Sequence, residues 1–187
     1  GLGARYAVRA QSAWLGWPAE LEGDLLEWMD ENREAARSGQ ISRTAAVAER
    51  FDEIIRTLTA ARRDNGGAPA DVTAELLAER IDDRPLTDAE VISILRNWTA
   101  GDLGSIAACS GVIVHRLATD AELQEHWRGG PPVAEFEAGI DEILRIDDPF
   151  PSSRRLTTTE VEIGGRTIGA GARGVLNWSA ANRDPRA

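Results

Sequence analysis

The chain has 187 residues, of which 42% are hydrophobic and 28% charged, so it is long enough for one domain with a packed core. The net charge of −10 argues against nucleic-acid binding, because a protein that binds phosphates needs a basic surface. A single cysteine, Cys109, excludes an intramolecular disulfide and favours a reducing compartment such as the cytoplasm. Residues 1–10 lack the apolar segment of a secretory signal, and the apolar stretch 97–114 contains Asp102 and three glycines, so we expect no membrane span.

Three amphipathic helices are predicted before residue 87. The first begins near Pro18, a residue suited to an opening helical turn, and ends at Ser38-Gly39. The second is broken by Gly66-Gly67-Ala68-Pro69, and a short third helix starts near Asp71. Apolar residues at helical spacing mark the first two helices: Leu21, Leu25, Trp28 and Met29, then Val47, Phe51, Ile54, Ile55 and Leu58.

A much longer helix is predicted next. Thr87 and Glu90 form an S/T-x-x-E capping box, which is a start signal for a helix, and no proline interrupts the chain from there to Ala118. Apart from Arg96 and Asp102, the segment from residue 91 to residue 114 carries no charge. A helix that is apolar on all sides is expected to be buried. About 30 residues at a rise of ~1.5 Å would extend ~45 Å, the width of a whole domain.

The last part of the chain predicts two more helices and a small β region. Thr119 and Glu122 form a second capping box, which predicts the start of a short helix. A further helix follows it and ends at Asp148-Pro149. That helix has one apolar face, made of Val133, Phe136, Ile140, Ile143 and Leu144. Strands at residues 161–163 and 167–168 flank a Gly164-Gly165 turn, and residues 172–178 form another strand. The expected fold class is mainly α with a small β region, in a single domain over residues 1–187.

Four short motifs are candidates for function. Glu142 and Arg145 are three residues apart on a helix and can pair; by itself this spacing is typical of a solvated surface bridge. The other three are Trp98-Thr-Ala-Gly-Asp102 in the long helix, Arg155-Leu-Thr-Thr-Thr-Glu-Val-Glu-Ile-Gly-Gly with a later Ile168-Gly-Ala-Gly, and Ala180-Ala-Asn-Arg-Asp-Pro185.

In this order, the four motifs resemble the cytochrome P450 family, from about its D helix to just past its K helix. They match the A-G-x core of the I helix, the E-x-x-R of the K helix, the β1 segment with its I-P-A-G turn, and the A-N-R-D-P stretch. Gly169 stands where proline is usual. The resemblance implies a partial P450 fold without the N-terminal part and without the loop that holds the cysteine ligand. It also implies heme b, monooxygenation of a small organic substrate, and a ferredoxin-type or flavin redox partner.

The resemblance assigns roles to residues near the C-terminal end. It implies that Glu142 and Arg145 form a buried pair, completed by a later arginine, that locks the core rather than catalysing. Arg155 matches the arginine that contacts a heme propionate, a contact for which the guanidinium fork is suited. Arg154 is the adjacent alternative, because neighbouring strand residues point to opposite faces.

The long helix departs from the family pattern. Ala100, Gly101 and Gly104 match the segment that crosses the heme, and Asn97 lies one turn earlier, where it could touch substrate. The family's acid and alcohol positions, which deliver protons to bound dioxygen, hold Leu103 and Gly104. Asp102 lies one residue before the acid position, and Ser105 lies one residue after the alcohol position. We assign Asp102, Ser105 and Gly101 to the candidate catalytic segment.

Two interpretations of this shift are open. A bulge at the glycines would re-aim Asp102 and Ser105 so that they take over proton delivery. A regular helix would instead leave Asp102 solvated and let Ser105 hydrogen-bond to a helix carbonyl.

Cys109 is not expected to bind the iron, because it lies within the long helix rather than on a glycine-rich loop after Pro185. His115 and His126 lack the spacing of metal ligands, so no metal ligand is predicted in this chain. Without the cysteine loop, we expect the 187 residues alone to be inactive. The alternative function is that of a non-catalytic, acidic helical interaction module built on the same scaffold.

Overall fold

The computed structural model describes residues 1–64 and 71–186, so the predicted helix break at Gly66–Pro69 lies outside the described residues. The chain divides into two compact units, Gly1–Ser110 and Gly111–Ala187. The helices of the first unit are α1 (Leu2–Leu15), α2 (Glu22–Ser38), α3 (Ile41–Asp64), α4 (Val72–Ala78) and most of α5 (Asp88–Thr119). A two-stranded hairpin, β1 (Arg80–Ile81) with β2 (Arg84–Pro85), precedes α5.

The helix predicted to begin near Pro18 starts in the structure with a short 3₁₀ turn. Pro18 caps a single 3₁₀ turn, Ala19–Leu21, which runs directly into α2. Gly39 ends α2 in the left-handed conformation, with φ 66°, as the Ser38-Gly39 signal predicts. Helix α1 was not predicted, although its buried residues Ala7, Val8 and Leu15 follow helical spacing.

The core of the N-terminal unit is formed by apolar side chains from its helices. Phe51, Ile55 and Leu95 are fully buried, and the rings of Trp28 and Phe51 pack with centroids 4.3 Å apart. Polar groups inside this core are paired: the Trp17 indole donates to the Thr73 hydroxyl at 3.1 Å, and that hydroxyl donates to the Leu15 carbonyl at 2.7 Å. The predicted stripes of α2 and α3 therefore do face the core.

The capping box at the start of α5 is confirmed. The Thr87 N–H donates to Glu90 Oε2 at 2.8 Å, and the Glu90 N–H donates to Thr87 Oγ1 at 3.3 Å. Hydrogen bonds from Arg84 and then from Thr87 hold the pKa of Glu90 far below its usual range. The helix ends one residue beyond the predicted Ala118.

The expectation that α5 is buried on all sides is wrong. Only one stripe is buried, comprising Val91, Leu95, Thr99 and Leu103, while Val114 is 43% exposed. The stripe repeats every four residues, which is the spacing of one packed face. None of the helices in the described part of the chain is long and apolar enough to cross a membrane.

The C-terminal unit contains α6 (Ala121–Arg128), α7 (Val133–Asp147), α8 (Trp178–Ala181) and two nested hairpins. Its strands are β3 (Ser152–Leu156), β4 (Val161–Ile163), β5 (Arg166–Ile168) and β6 (Arg173–Asn177). Strand β4 pairs with β5 across Gly164-Gly165, whose φ angles of 58° and 73° suit glycine, so the predicted turn is confirmed. Strand β3 pairs with β6 around this inner hairpin.

The second predicted capping box is wrong by one residue. The carboxylate of Asp120, rather than the Thr119 hydroxyl, accepts a hydrogen bond from the Leu123 N–H, at 3.0 Å. Thr119 is still helical, and its hydroxyl donates to the His115 carbonyl at 2.9 Å. Asp is as good an N-cap as Thr, and α5 continues far enough to place Asp120 at that position.

Candidate active site

The candidate catalytic segment lies on an unbroken stretch of α5. Residues 88–119 are all α-helical, with no π-turn at either glycine. Asn97, Gly101, Asp102 and Gly104 are exposed, and Ala100 and Ser105 are half-buried. The bulge that would re-aim Asp102 and Ser105 is therefore absent from the described helix.

Ser105 makes the backbone hydrogen bond that a regular helix favours. Its Oγ donates to the carbonyl oxygen of Asp102 at 2.9 Å. A hydroxyl that donates one proton still has two lone pairs, so Ser105 can accept a further hydrogen bond. Asp102 and Ser105 are three residues apart on a helix and so lie on one side of it.

The family's usual acid position is occupied by a core residue. Leu103 is 0% exposed and belongs to the hydrophobic cluster of the N-terminal unit. A carboxylate at this position would be buried among apolar side chains, which is costly for an unpaired charge. The acid therefore cannot occupy position 103 in this chain, and Asp102 is the adjacent exposed carboxylate.

The two glycines leave open space beside α5. A Cβ atom added at Gly101 or at Gly104 would meet no atom within 4 Å. Neither glycine is therefore covered by a side chain from another element at its Cβ position.

The Glu142–Arg145 pair of α7 is well formed but not buried. Arg145 Nε and Nη2 donate to the two Glu142 oxygens, both at 2.6 Å, and the side chains are 45% and 53% exposed. The hydrogen bond from Arg145 lowers the pKa of Glu142. The pair therefore stabilises the folded chain above the usual glutamate pKa, and that contribution is lost as the pH falls through the lowered one.

The expectation of a buried pair is corrected by this exposure, since about half of each side chain is open to solvent. The turn after α8 nevertheless closes on the end of α7. Arg145 Nη1 donates to the Asn182 carbonyl, and Arg183 Nη2 donates to the Ile146 carbonyl at 2.5 Å. The Ala-Asn-Arg-Asp-Pro stretch thus contacts α7 through backbone carbonyls rather than through Glu142.

Arg155 and Arg154 lie on opposite faces of the β3–β6 hairpin. Arg155 is opposite Gly174 and Arg154 is opposite Val175, and directly opposed residues share a face. A Cβ at Gly174 would meet no atom within 4 Å, so the face of Arg155 is open. A groove of about 570 Å³ runs along the hairpin, and sequence reasoning missed one of its cations, Arg173.

The groove is lined by positively charged side chains, as a site for an anion must be. Among the described residues of the C-terminal unit, no carboxylate lies within 4.0 Å of the guanidinium of Arg154, Arg155 or Arg173. Unpaired guanidinium groups at an open surface are suited to bidentate contact with a carboxylate.

No protein-family model matches the sequence. The chain is 32% identical over 148 residues to cytochrome P450 BJ-3 of Bradyrhizobium diazoefficiens, covering 77% of this chain and 32% of that protein. It is 30% identical over 148 residues to the erythromycin C-12 hydroxylase of Saccharopolyspora erythraea, covering 74% and 36%. Its fold matches the ligand-free structure of cytochrome P450 TbtJ1 with a TM-score of 0.77 at 21% identity, over 98% of this chain and 49% of that one.

The chain belongs to the cytochrome P450 family. It spans about a third of the length of these two curated relatives and about half of the solved P450 chain. The mainly helical architecture with small sheets is that of a partial P450 fold, as the motifs predict.

Membership in the P450 family implies heme. Within each unit taken by itself, some residues are suited to one part of that group. The open glycine face of α5 suits a flat ring, and the unpaired cations of the β3–β6 groove suit its carboxylates. Cys109 is not suited to be the thiolate ligand of the iron. Cys109 is half-buried within α5, and burial raises the pKa of its thiol, which disfavours the form that binds iron.

Both histidines are exposed. His126 Nε2 lies 2.7 Å from a Glu135 oxygen in an exposed pair, and His115 is exposed. Across residues 1–64 and 71–186, no group of three or more His, Cys, Asp or Glu side chains is placed to hold a metal ion.

Proposed function

We propose that this chain is part of a heme-thiolate monooxygenase that inserts one oxygen atom of dioxygen into a small organic substrate. The observation that carries the proposal is the open, glycine-containing side of α5 with an exposed carboxylate, Asp102, directly after Gly101. Electrons would come from a ferredoxin-type or flavin partner. The thiolate ligand would come from a segment outside these residues, so the 187 residues alone should not catalyse.

When bound, heme b supplies the iron that activates dioxygen. Ala100, Gly101 and Gly104 give α5 a surface without large side chains, against which the ring can lie. Asn97 is exposed one turn before Gly101 and can donate or accept a hydrogen bond from a polar substrate group. Arg155 would hold a propionate by a charge-assisted hydrogen bond.

Proton delivery is assigned to the exposed side of α5. Asp102 is exposed, so water can reach its carboxylate. Ser105, held to the Asp102 carbonyl, can accept a hydrogen bond from a water on the same side of the helix. Glu142 and Arg145 have a structural role, since their mutual bonds leave neither group poised to transfer a proton.

The role of Arg155 can be tested in the protein encoded by the complete reading frame. We expect Arg155→Met to weaken heme retention by about 10- to 100-fold, the loss of one hydrogen bond between charged groups. Heme transfer to an excess of apomyoglobin measures this retention.

Arg154→Met is the comparison variant, because Arg154 also borders the groove but its side chain alternates to the other face of the strand from Arg155. It should change heme retention little. A larger effect of Arg154→Met would assign the propionate to that face, and equal small effects would remove the hairpin from the heme site.

A further inference from the structure

Two side chains of helix α1 contact Trp98 on the proposed catalytic helix. Gln11 is 7% exposed, and its Nε2 donates to the Trp98 carbonyl oxygen at 2.5 Å. Trp14 follows Gln11 by three residues, and its ring packs on the Trp98 ring with centroids 5.6 Å apart at 48°. Both contacts lie within the N-terminal unit, and both engage the turn of α5 directly before Gly101 and Asp102.

The carbonyl that Gln11 engages belongs to the helical hydrogen-bond ladder. In an α-helix, the carbonyl of Trp98 accepts from the backbone N–H of Asp102, four residues later. A carbonyl oxygen has two lone pairs, so the Gln11 amide and the Asp102 N–H share one acceptor. Two donors on one carbonyl compete for it, so the second donor weakens the helical bond.

Two neighbouring carbonyls of α5 are also shared. The Thr99 hydroxyl donates to the Leu95 carbonyl at 2.6 Å, and the Ser105 hydroxyl donates to the Asp102 carbonyl at 2.9 Å. Three carbonyls between residues 95 and 105 thus accept a hydrogen bond from a side chain in addition to the helical one. The other two donors belong to α5 itself, whereas Gln11 belongs to α1. Gln11 can therefore couple the position of this segment to α1.

We propose that Gln11 is a positioning residue for the α5 turn from Trp98 to Asp102. Its carboxamide holds the Trp98 carbonyl and loosens the bond from the Asp102 N–H, and this sets the orientation in which Gly101 and Asp102 are presented. The catalytic consequence rests on the function proposed above, whereas the backbone effect does not.

The backbone effect can be measured by NMR on the 187-residue chain, without heme. Gln11→Met keeps the length of the side chain but removes the donor. We expect the coupling across the hydrogen bond between the Asp102 nitrogen and the Trp98 carbonyl carbon to increase. We also expect native-state exchange of the Asp102 amide proton to slow by about two- to tenfold, the range for one hydrogen bond.

A purely structural role for Gln11 predicts neither a larger coupling nor slower exchange. Loss of a buried hydrogen bond alone would leave the coupling unchanged and make amide exchange equal or faster. Either result would overturn the proposal. Ser12→Ala is the matched control, because Ser12 is equally buried on α1 and its hydroxyl makes no hydrogen bond to α5 among the described residues.

A second measurement separates this proposal from the enzymatic one. In the complete enzyme, Gln11→Met should lower the fraction of electrons that reaches product, while Ser12→Ala should not. If the NMR result holds and this fraction is unchanged, the backbone role stands and the link to catalysis is wrong. If the complete protein binds no heme, the proposed function fails independently of the NMR result.

Discussion

Asp102→Asn is expected to slow oxygen activation in the complete enzyme by roughly 10²–10⁴-fold, the range for a positioned general acid–base group. Substrate binding should change little, because the amide has nearly the shape of the carboxyl group. The physical reason is that Asp102 is the exposed carboxylate next to Gly101, while the usual acid position is occupied by the buried Leu103. The ratio of product formed to NADH or NADPH consumed, with peroxide measured in parallel, checks this expectation.

The neighbouring positions supply the controls for Asp102. Ser105→Ala should have a smaller effect, because the Ser105 proton is already donated to a backbone carbonyl. Gly104→Thr restores the family's alcohol at an open position. Leu103→Glu is not a usable restoration, since it would bury a charge in the core. Near-normal coupling in Asp102→Asn would show that an ordered water chain or a substrate hydroxyl delivers the proton instead.

Arg62→Met is expected to lower the free energy of unfolding by about 3–5 kcal/mol, the cost of leaving a buried partner charge unpaired. Arg62 pairs with Asp71 while their side chains are only 12% and 11% exposed. Arg62 also donates to the Gly16 carbonyl, and Asp71 caps α4 by accepting from the Ala74 N–H at 3.0 Å. The pair therefore joins α3, α4 and the end of α1.

Urea unfolding followed by circular dichroism measures this loss. Arg56→Met is the matched control on the same helix, because Arg56 pairs with Glu49 and Glu53 at an exposed site and should cost about 0–1 kcal/mol. Adding Asp71→Asn to Arg62→Met should recover part of the loss by removing the unpaired charge. Equal costs for Arg62→Met and Arg56→Met would contradict a buried role for the pair.

Local chemistry explains which elements could be predicted from the sequence. The capping box at Thr87 and Glu90, the Gly164-Gly165 turn and the stop at Asp148-Pro149 each depend on residues within a few positions of one another. Their conformations therefore follow from short-range hydrogen bonds and steric limits. The Thr119 prediction shows the limit of this reasoning, because two adjacent residues can both cap and only the length of α5 decides between them.

Features that depend on distant residues could not be predicted in this way. The Arg62–Asp71 pair and the Gln11–Trp98 bond join positions that no sequence spacing connects. Gly16 illustrates the same point: it has φ 70°, and a Cβ there would overlap the Asp71 carboxylate, a neighbour 55 positions away in the sequence. The motifs predicted that Glu142 and Arg145 pair, whereas their exposure depends on the surroundings of α7.

The most direct test of the proposed function is the carbon monoxide spectrum of the reduced protein expressed from the complete reading frame. Heme bound through a cysteine outside these 187 residues predicts a thiolate-type spectrum that is unchanged in Cys109→Ser, because Cys109 lies half-buried within α5. The 187-residue chain should lack that spectrum. A complete protein without heme would support the non-catalytic interaction module, and loss of the thiolate signature in Cys109→Ser would contradict the assignment of the ligand.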